Sequence, residues 1–168
     1  MANFILKFPF KNLFKKPKLD VYAPISGKLK DITEVPDPVF NQKMVGDGVA
    51  IEPANGEIVS PIDGEIVQIP DSKHAIGLKD KNGIEILIHI GLETVSLNGH
   101  GFTSKVVEGD TVKVGDPLMV MDLSFVQEHA EGTITPVLIP DSNKHGYEIK
   151  KEDIHEVNAG KTKIFSIF

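Results

Sequence analysis

Two histidines, His74 and His89, stand in the stretch from Asp71 to Val95, where they are spaced to work together on one face of a β-hairpin. Extended runs from Ala75 to Leu78 and from Ile84 to Ile90 flank Asn82-Gly83, a two-residue hairpin signal because both central positions must accept positive φ. With that loop, cross-strand partners have indices summing to 165, so His89 faces Ile76 and His74 faces Gly91. Side chains alternate along a strand. Ile84, Ile86, Ile88 and Ile90 therefore share a core face, while Glu85, Leu87, His89 and Gly91 share the other. On that outer face His74 and His89 are diagonal neighbours, with β-carbons roughly 7 Å apart, and Gly91 leaves space beside them.

Two imidazoles without cysteine admit three chemistries: metal binding, general acid–base catalysis, or a phosphohistidine with a neighbouring donor. Zinc needs at least one further protein ligand, for which Glu85 and Glu93 are the nearest candidates. A phosphoryl carrier needs a neutral ring nitrogen as nucleophile, a donor for the phosphoryl oxygens and an apolar rim that excludes water. Positioning and electrostatics do most of that work, because the transferring group is loosely bonded in its transition state. Val39, Phe40, Met44 and Val45, flanking the Pro36-Asp37-Pro38 turn, can form such a rim, or else pack in the core. The remaining histidines, His100, His129, His145 and His155, fall in polar contexts and read as solvated.

The elements that must position these residues are short. At 168 residues and 40% hydrophobic, the chain can bury one substantial core. Candidate strands cover 20–23, 27–32, 48–53, 57–59, 64–69, 75–79, 84–90, 111–114, 118–121, 133–138 and 163–167, a density that predicts a sandwich or barrel. APISGKLKDI and SPIDGEIVQI repeat a pattern at an offset of 37 residues, suggesting two similarly built halves. The expectation is an all-β fold: an antiparallel β-sandwich or flattened barrel with a duplicated hybrid motif and one or two short helices. One helix follows Asp122, with Ser124 and Gln127 at capping-box spacing and Gly132 as a stop. A second turn of helix is placed near Val39 to Met44, and residues 141–160 read mostly as loop.

Charge narrows the function further. The net charge is −6, and five lysines without an acid in residues 1–18 leave −11 for the remainder, which repels nucleic acid. Every basic residue is lysine, so no bidentate guanidinium clamp exists for phosphate. There is no cysteine, no phosphate-binding glycine loop of the nucleotide-hydrolase type and no apolar run long enough to span a bilayer. In residues 1–18, Leu6, Phe10, Leu13 and Phe14 share a helical face beside Lys7, Lys11, Lys15 and Lys18. Two readings stay open: an interfacial helix resting on anionic lipid, or a disordered leader.

The segments PISGKL, VPDPVFNQKMVGDGVAI, PIDGEI, SKHA, ILIHIGLETVSLNGHGF, EGDTVKVGDPL and TPVLI resemble, in order and spacing, the glucose-specific enzyme IIA family of the bacterial phosphoenolpyruvate:sugar phosphotransferase system. The resemblance spans about residues 20 to 165. It implies one β-sandwich domain over 19–168, in which His89 takes a phosphoryl group on Nε2 from the histidine-containing phosphocarrier protein and passes it to a IIB domain. His74 would stabilise the phosphate and Ser72 would orient His74. The family motif H-x-G-[I/L]-[D/E] maps onto His89, Gly91, Leu92 and Glu93, and Asp37 matches its acidic PDxVF position. Ile90, Glu93 and Ser72 stand where many relatives carry Phe, Asp and Thr. A cytoplasmic monomer without cofactor or metal is implied. The competing reading is a biotinyl- or lipoyl-type carrier, for which EGDTVKVGD and Asp80-Lys81 are the relevant features.

Overall fold

The computed structural model describes residues 15–168, and in it all strand pairings of the three sheets are antiparallel. An eight-stranded sheet holds β2 (Gly27–Asp31), β3 (Gly46–Pro53), β5 (Gly64–Gln68), β6 (Ala75–Lys79), β7 (Glu85–His89), β9 (Thr111–Val112), β11 (Thr135–Pro140) and β13 (Glu156–Val157). Its spatial order is β13-β2-β3-β11-β7-β6-β5-β9. Two three-stranded sheets complete the fold. One joins β1 (Leu19–Tyr22), β14 (Lys163–Ile167) and β12 (Ile149–Lys151), and the other joins β4 (Glu57–Val59), β10 (Pro117–Met121) and β8 (Phe102–Ser104). The sheets do not close into a barrel, so the expectation of a flattened barrel gives way to the open sandwich.

The repeat seen in the sequence is a physical pseudo-dyad. β2 and β5 occupy mirrored places, each second from an edge of the large sheet, and each is flanked outside by a two-residue strand, β13 or β9. The segments before them cross over: Tyr22 N donates to the Pro61 carbonyl (2.9 Å) and Val59 N to the Pro24 carbonyl (2.8 Å). Gly160 N donates to Ala23 O and Gly115 N to Ser60 O, again a matched pair. Ser60 is fully buried where its counterpart is alanine, and its hydroxyl is satisfied by the Ile62 carbonyl at 2.7 Å. A core of isoleucine, valine and leucine from both halves fills the interior, including Ile25, Ile62, Ile66, Ile76, Ile86 and Ile88.

The β6–β7 hairpin differs from the expected register by one residue. Ala75 faces His89 and Ile76 faces Ile88, so partner indices sum to 164, and the loop is Lys81-Asn82-Gly83. Only Gly83 takes positive φ, at 84°, so the turn needs one left-handed residue rather than two. Asp80 explains the difference. Its buried carboxylate accepts from Asn82 N (3.0 Å) and Ile84 N (2.8 Å), so a side chain does the work that a second positive-φ residue would have done. The alternation itself is as expected: Ile84, Ile86, Ile88 and Ile90 are buried.

Among the described residues there are three short α-helices, where one or two were expected: α1 (Pro38–Asn41), α2 (Leu123–His129) and α3 (Ser142–His145). The cap of α2 is Asp122, whose carboxylate accepts from Phe125 N, and Ser124 donates to that same carboxylate instead of capping the helix. The polar 141–160 stretch, expected to be loop, contains α3, β12 and β13 because its backbone groups find partners on β14 and β2. β8 was likewise not expected. No described helix is long and apolar enough to cross a membrane. The amphipathic expectation for residues 1–18 falls, for residues 1–14, outside the described residues.

If Asp80 fixes the hairpin, Asp80→Ala should destabilise the fold by about 1–3 kcal/mol, the cost of leaving buried amide donors unmet. Asp80→Asn should recover much of that loss because one carbonyl oxygen remains. Urea unfolding of the three proteins measures the differences, and equal midpoints for all three would remove Asp80 from the account.

Candidate functional site

His89 is the last residue of β7, and the chain turns away immediately after it. Ile90 N donates to the His74 carbonyl at 2.7 Å, closing the ladder, and Gly91 then adopts φ of 76°. That turn brings the Gly91 carbonyl back to His89 Nδ1 at 2.8 Å. A side chain at position 91 would be strained by φ alone, and its Cβ would lie 2.7 Å from Thr94 Cγ2 and 2.9 Å from the Gly132 carbonyl oxygen. Since a carbonyl can only accept, Nδ1 carries the proton and Nε2 carries the lone pair.

His74 reaches the site by another route than the one expected. In the observed register it lies opposite Ile90, a position that regular alternation would turn toward the core. The strand, however, begins only at Ala75, and Lys73 before it has a left-handed φ of 55°. Alternation holds only for extended backbone, and this turn places the His74 ring beside His89. The ring centroids are 5.2 Å apart with planes at 72°. Ser72 Oγ is 2.6 Å from His74 Nδ1, as the resemblance implied for this pair.

Phe40 also packs on His89, with centroids 4.9 Å apart and planes at 59°. Asp37 is the N-cap of α1, accepting from Val39 N at 2.9 Å, and Pro38 follows at the first helical position, where no amide donor is needed. The four rim candidates separate. Val39 and Met44 are exposed, at 42% and 67%, while Phe40 is buried against His89 and Val45 packs into a small second core with Ile32, Val35, Leu92 and Leu138. Glu93 is exposed, and no hydrogen bond joins its carboxylate to either imidazole among the described residues.

Both imidazoles are held below their ordinary pKa. For His89, burial lowers it most and the neighbouring His74 adds to the effect, while the Gly91 carbonyl and the charge of Asp37 act in the opposite direction. For His74, burial is the cause. At neutral pH the pair is therefore uncharged, and His89 Nε2 is available as a nucleophile. Among the described residues no group of three or more metal-ligating side chains is assembled.

Further backbone and side-chain bonds stand behind the pair, and among their residues Thr94 was not singled out by the sequence. Buried Thr94 donates its hydroxyl to the Ile90 carbonyl at 2.6 Å, and Leu92 N donates to the Gly132 carbonyl at 2.9 Å. The available signal was that the Ile90 carbonyl needs a donor once β7 ends.

Comparison with known proteins agrees with this geometry. Residues 19–160 match the family described as phosphoenolpyruvate-dependent sugar phosphotransferase system, EIIA 1. A PTS system glucose-specific EIIA component from Oceanobacillus iheyensis is 50% identical over 163 residues, covering 94% of this chain and 98% of that protein. The PTS system glucose-specific EIICBA component of Staphylococcus carnosus is 53% identical over 129 residues, which is 77% of this chain and 19% of that longer protein. Among solved structures, glucose permease IIA from Mycoplasma capricolum superposes with a TM-score of 0.82 at 37% identity, covering 90% of this chain and 97% of that one.

Nitrogen-detected NMR titration should find both His74 and His89 changing charge below the ordinary value of 6.5, with His89 Nδ1 protonated and Nε2 bare at pH 7. Because the unfolded chain binds protons that the folded pair resists, stability should fall as pH drops through 6.5 and level off below the folded pKa values. Titration of either ring above 6.5 would contradict the assigned electrostatics.

Proposed function

The chain belongs to the phosphoenolpyruvate-dependent sugar phosphotransferase system EIIA 1 family, and on that premise we propose that His89 is its phosphoryl carrier. The observation that carries the reading is the His89 Nδ1–H bond to the Gly91 carbonyl, which leaves a neutral Nε2 facing a second neutral imidazole. In the first step the Nε2 lone pair attacks the phosphorus of the phosphohistidine on the histidine-containing phosphocarrier protein. A nitrogen–phosphorus bond forms on His89 as the donor's breaks, and the donor histidine regains its lone pair. In the second step a nucleophile on a IIB domain takes the group and His89 is restored.

His74 is the electrophilic partner. In the tautomer whose Nδ1 accepts from Ser72 Oγ, 2.6 Å away, Nε2 carries a proton that it can offer to a phosphoryl oxygen. The incoming charge would also favour protonation of that ring, strengthening the hold. Val39, Met44 and the edge of Phe40 supply the apolar surface on which donor and acceptor exclude water in turn. A IIB acceptor is supported by the Staphylococcus carnosus relative, whose EIICBA name places the matched segment within a longer component. The protein works in the cytoplasm in this scheme, and residues 1–18 give it a peripheral contact with anionic lipid.

His89→Gln should abolish acid-labile labelling from phosphoenolpyruvate, enzyme I and the carrier protein while the circular dichroism spectrum is unchanged. His74→Gln should still accept phosphate but donate it to IIB about 10–100-fold more slowly, as expected from losing one charge-assisted hydrogen bond of about 1.5–3 kcal/mol. Normal labelling of the first variant would move the nucleophile elsewhere, and complete loss in the second would reverse the two roles.

Val39→Asp should raise KM for both donor and acceptor by about tenfold or more, since one patch serves each in turn. Unchanged transfer kinetics with both partners would take Val39 out of the docking surface.

A further inference from the structure

Between β2 and β3 the chain leaves the large sheet and returns, and this excursion carries Asp37, Val39, Phe40 and Met44. Its two ends are held by one lysine. Lys151, the last residue of β12, donates from Nζ to Asp31 Oδ1 at 2.6 Å and to Asp47 Oδ1 at 2.8 Å. Asp31 ends β2 and Asp47 lies at the start of β3, so a single ammonium joins the exit and the return of the excursion. β12 belongs to the small sheet with β1 and β14, which makes the contact a tie between separate sheets.

Each carboxylate also has a contact on the excursion, Asp31 with backbone and Asp47 with the Lys43 side chain. Asp31 caps the 3-10 turn Ile32–Glu34, accepting from Thr33 N and Thr33 Oγ1, while its own amide donates to Glu34. Asp47 accepts from Gly48 N at 2.8 Å and meets Lys43 Nζ at 3.5 Å, and Lys43 directly follows α1 and its C-cap with a left-handed φ of 57°. Burial would raise the Asp31 carboxyl, but the hydrogen bonds from Lys151 and Thr33 outweigh it and hold the group at about 2. Asp31 is therefore ionised at neutral pH, and the three members of the clamp are only partly exposed.

We propose that Lys151 is a positioning residue for phosphoryl transfer: by joining Asp31 and Asp47 it sets where Val39, Phe40 and Met44 stand relative to His89. The inference rests on the proposed carrier function, since it concerns the surface that partners use. Lys151 touches neither imidazole, so it acts on docking and leaves the chemical step alone. Without the ammonium, the two carboxylates at the base of the excursion lose the cation they share, Asp47 keeps only its 3.5 Å contact with Lys43, and the two repel. The excursion then opens, and Phe40 withdraws from the His89 ring.

The test uses the full chain with Lys151→Met and, because unpaired carboxylates alone can destabilise, a triple variant combining Lys151→Met with Asp31→Asn and Asp47→Asn. In both variants KM for the phosphocarrier donor should rise about tenfold while kcat at saturating donor stays within twofold. The proton–proton cross-relaxation between the Phe40 and His89 rings should weaken in both. That NMR readout needs no phosphoryl transfer, so it separates failure of this inference from failure of the carrier reading. Wild-type KM in the triple variant would overturn the proposal and leave the lysine a stabilising role only. Unchanged Phe40–His89 cross-relaxation in Lys151→Met would overturn it as well.

Discussion

The hydrogen bond from His89 Nδ1 to the Gly91 carbonyl depends on a turn that only glycine can make at that place. Gly91 sits at φ of 76° with Thr94 and the Gly132 carbonyl so close that a β-carbon cannot be accommodated. Thr94 is there because its hydroxyl satisfies the Ile90 carbonyl, which has left the sheet ladder. Ile90 is itself anchored in the core and by its amide to His74 O, so the same few backbone groups define both histidines. The tautomer of His89 thus follows from core packing several residues away, through contacts that leave its Nε2 untouched.

Electrostatics and packing act together on that nitrogen. Burial disfavours the charged imidazole, and the neighbouring His74 disfavours it further, so the lone pair is present at neutral pH. Burial alone would also make an arriving phosphate costly. A second imidazole, partly exposed and bonded to Ser72, answers that cost because it can become a cation when negative charge appears beside it. A lysine or arginine in its place would carry its charge permanently and would not be matched to a site that, under the proposed function, alternates between empty and phosphorylated.

Much of this was legible in the sequence, and the parts that were not share a cause. The isoleucine alternation of β7 is a local, period-two signal, and it placed His89 on the outer face as observed. The repeat at 37 residues marked the two halves because Pro, Ile and Gly recur where the crossed segments make equivalent bonds. The hairpin register was off by one because Asp80 caps the loop with its carboxylate, which the Asn-Gly pair does not reveal. His74 was brought to the right neighbour by the wrong geometry, since its turn depends on a left-handed Lys73 that residue type does not announce. β12 and β13 were read as loop because their sequences are polar and their order comes from distant partners, β14 and β2. Lys151 was invisible for the same reason, its two carboxylates lying 120 and 104 positions away.

The pseudo-dyad accounts for the unlike walls of the site. In the large sheet β7 and β11 are the central pair, with β6 and β5 beyond one and β3 and β2 beyond the other. The β5–β6 connection is therefore the counterpart of the β2–β3 connection. The first is short and carries Ser72, Lys73 and His74, and the second is the longer excursion with α1 and Phe40. Both converge on His89, which lies 5.2 Å from the His74 ring and 4.9 Å from the Phe40 ring. Duplication of the strands alone would give two equivalent walls. Divergence of the two connections gives a single central histidine one polar neighbour, the imidazole of His74, and one apolar neighbour, the ring of Phe40.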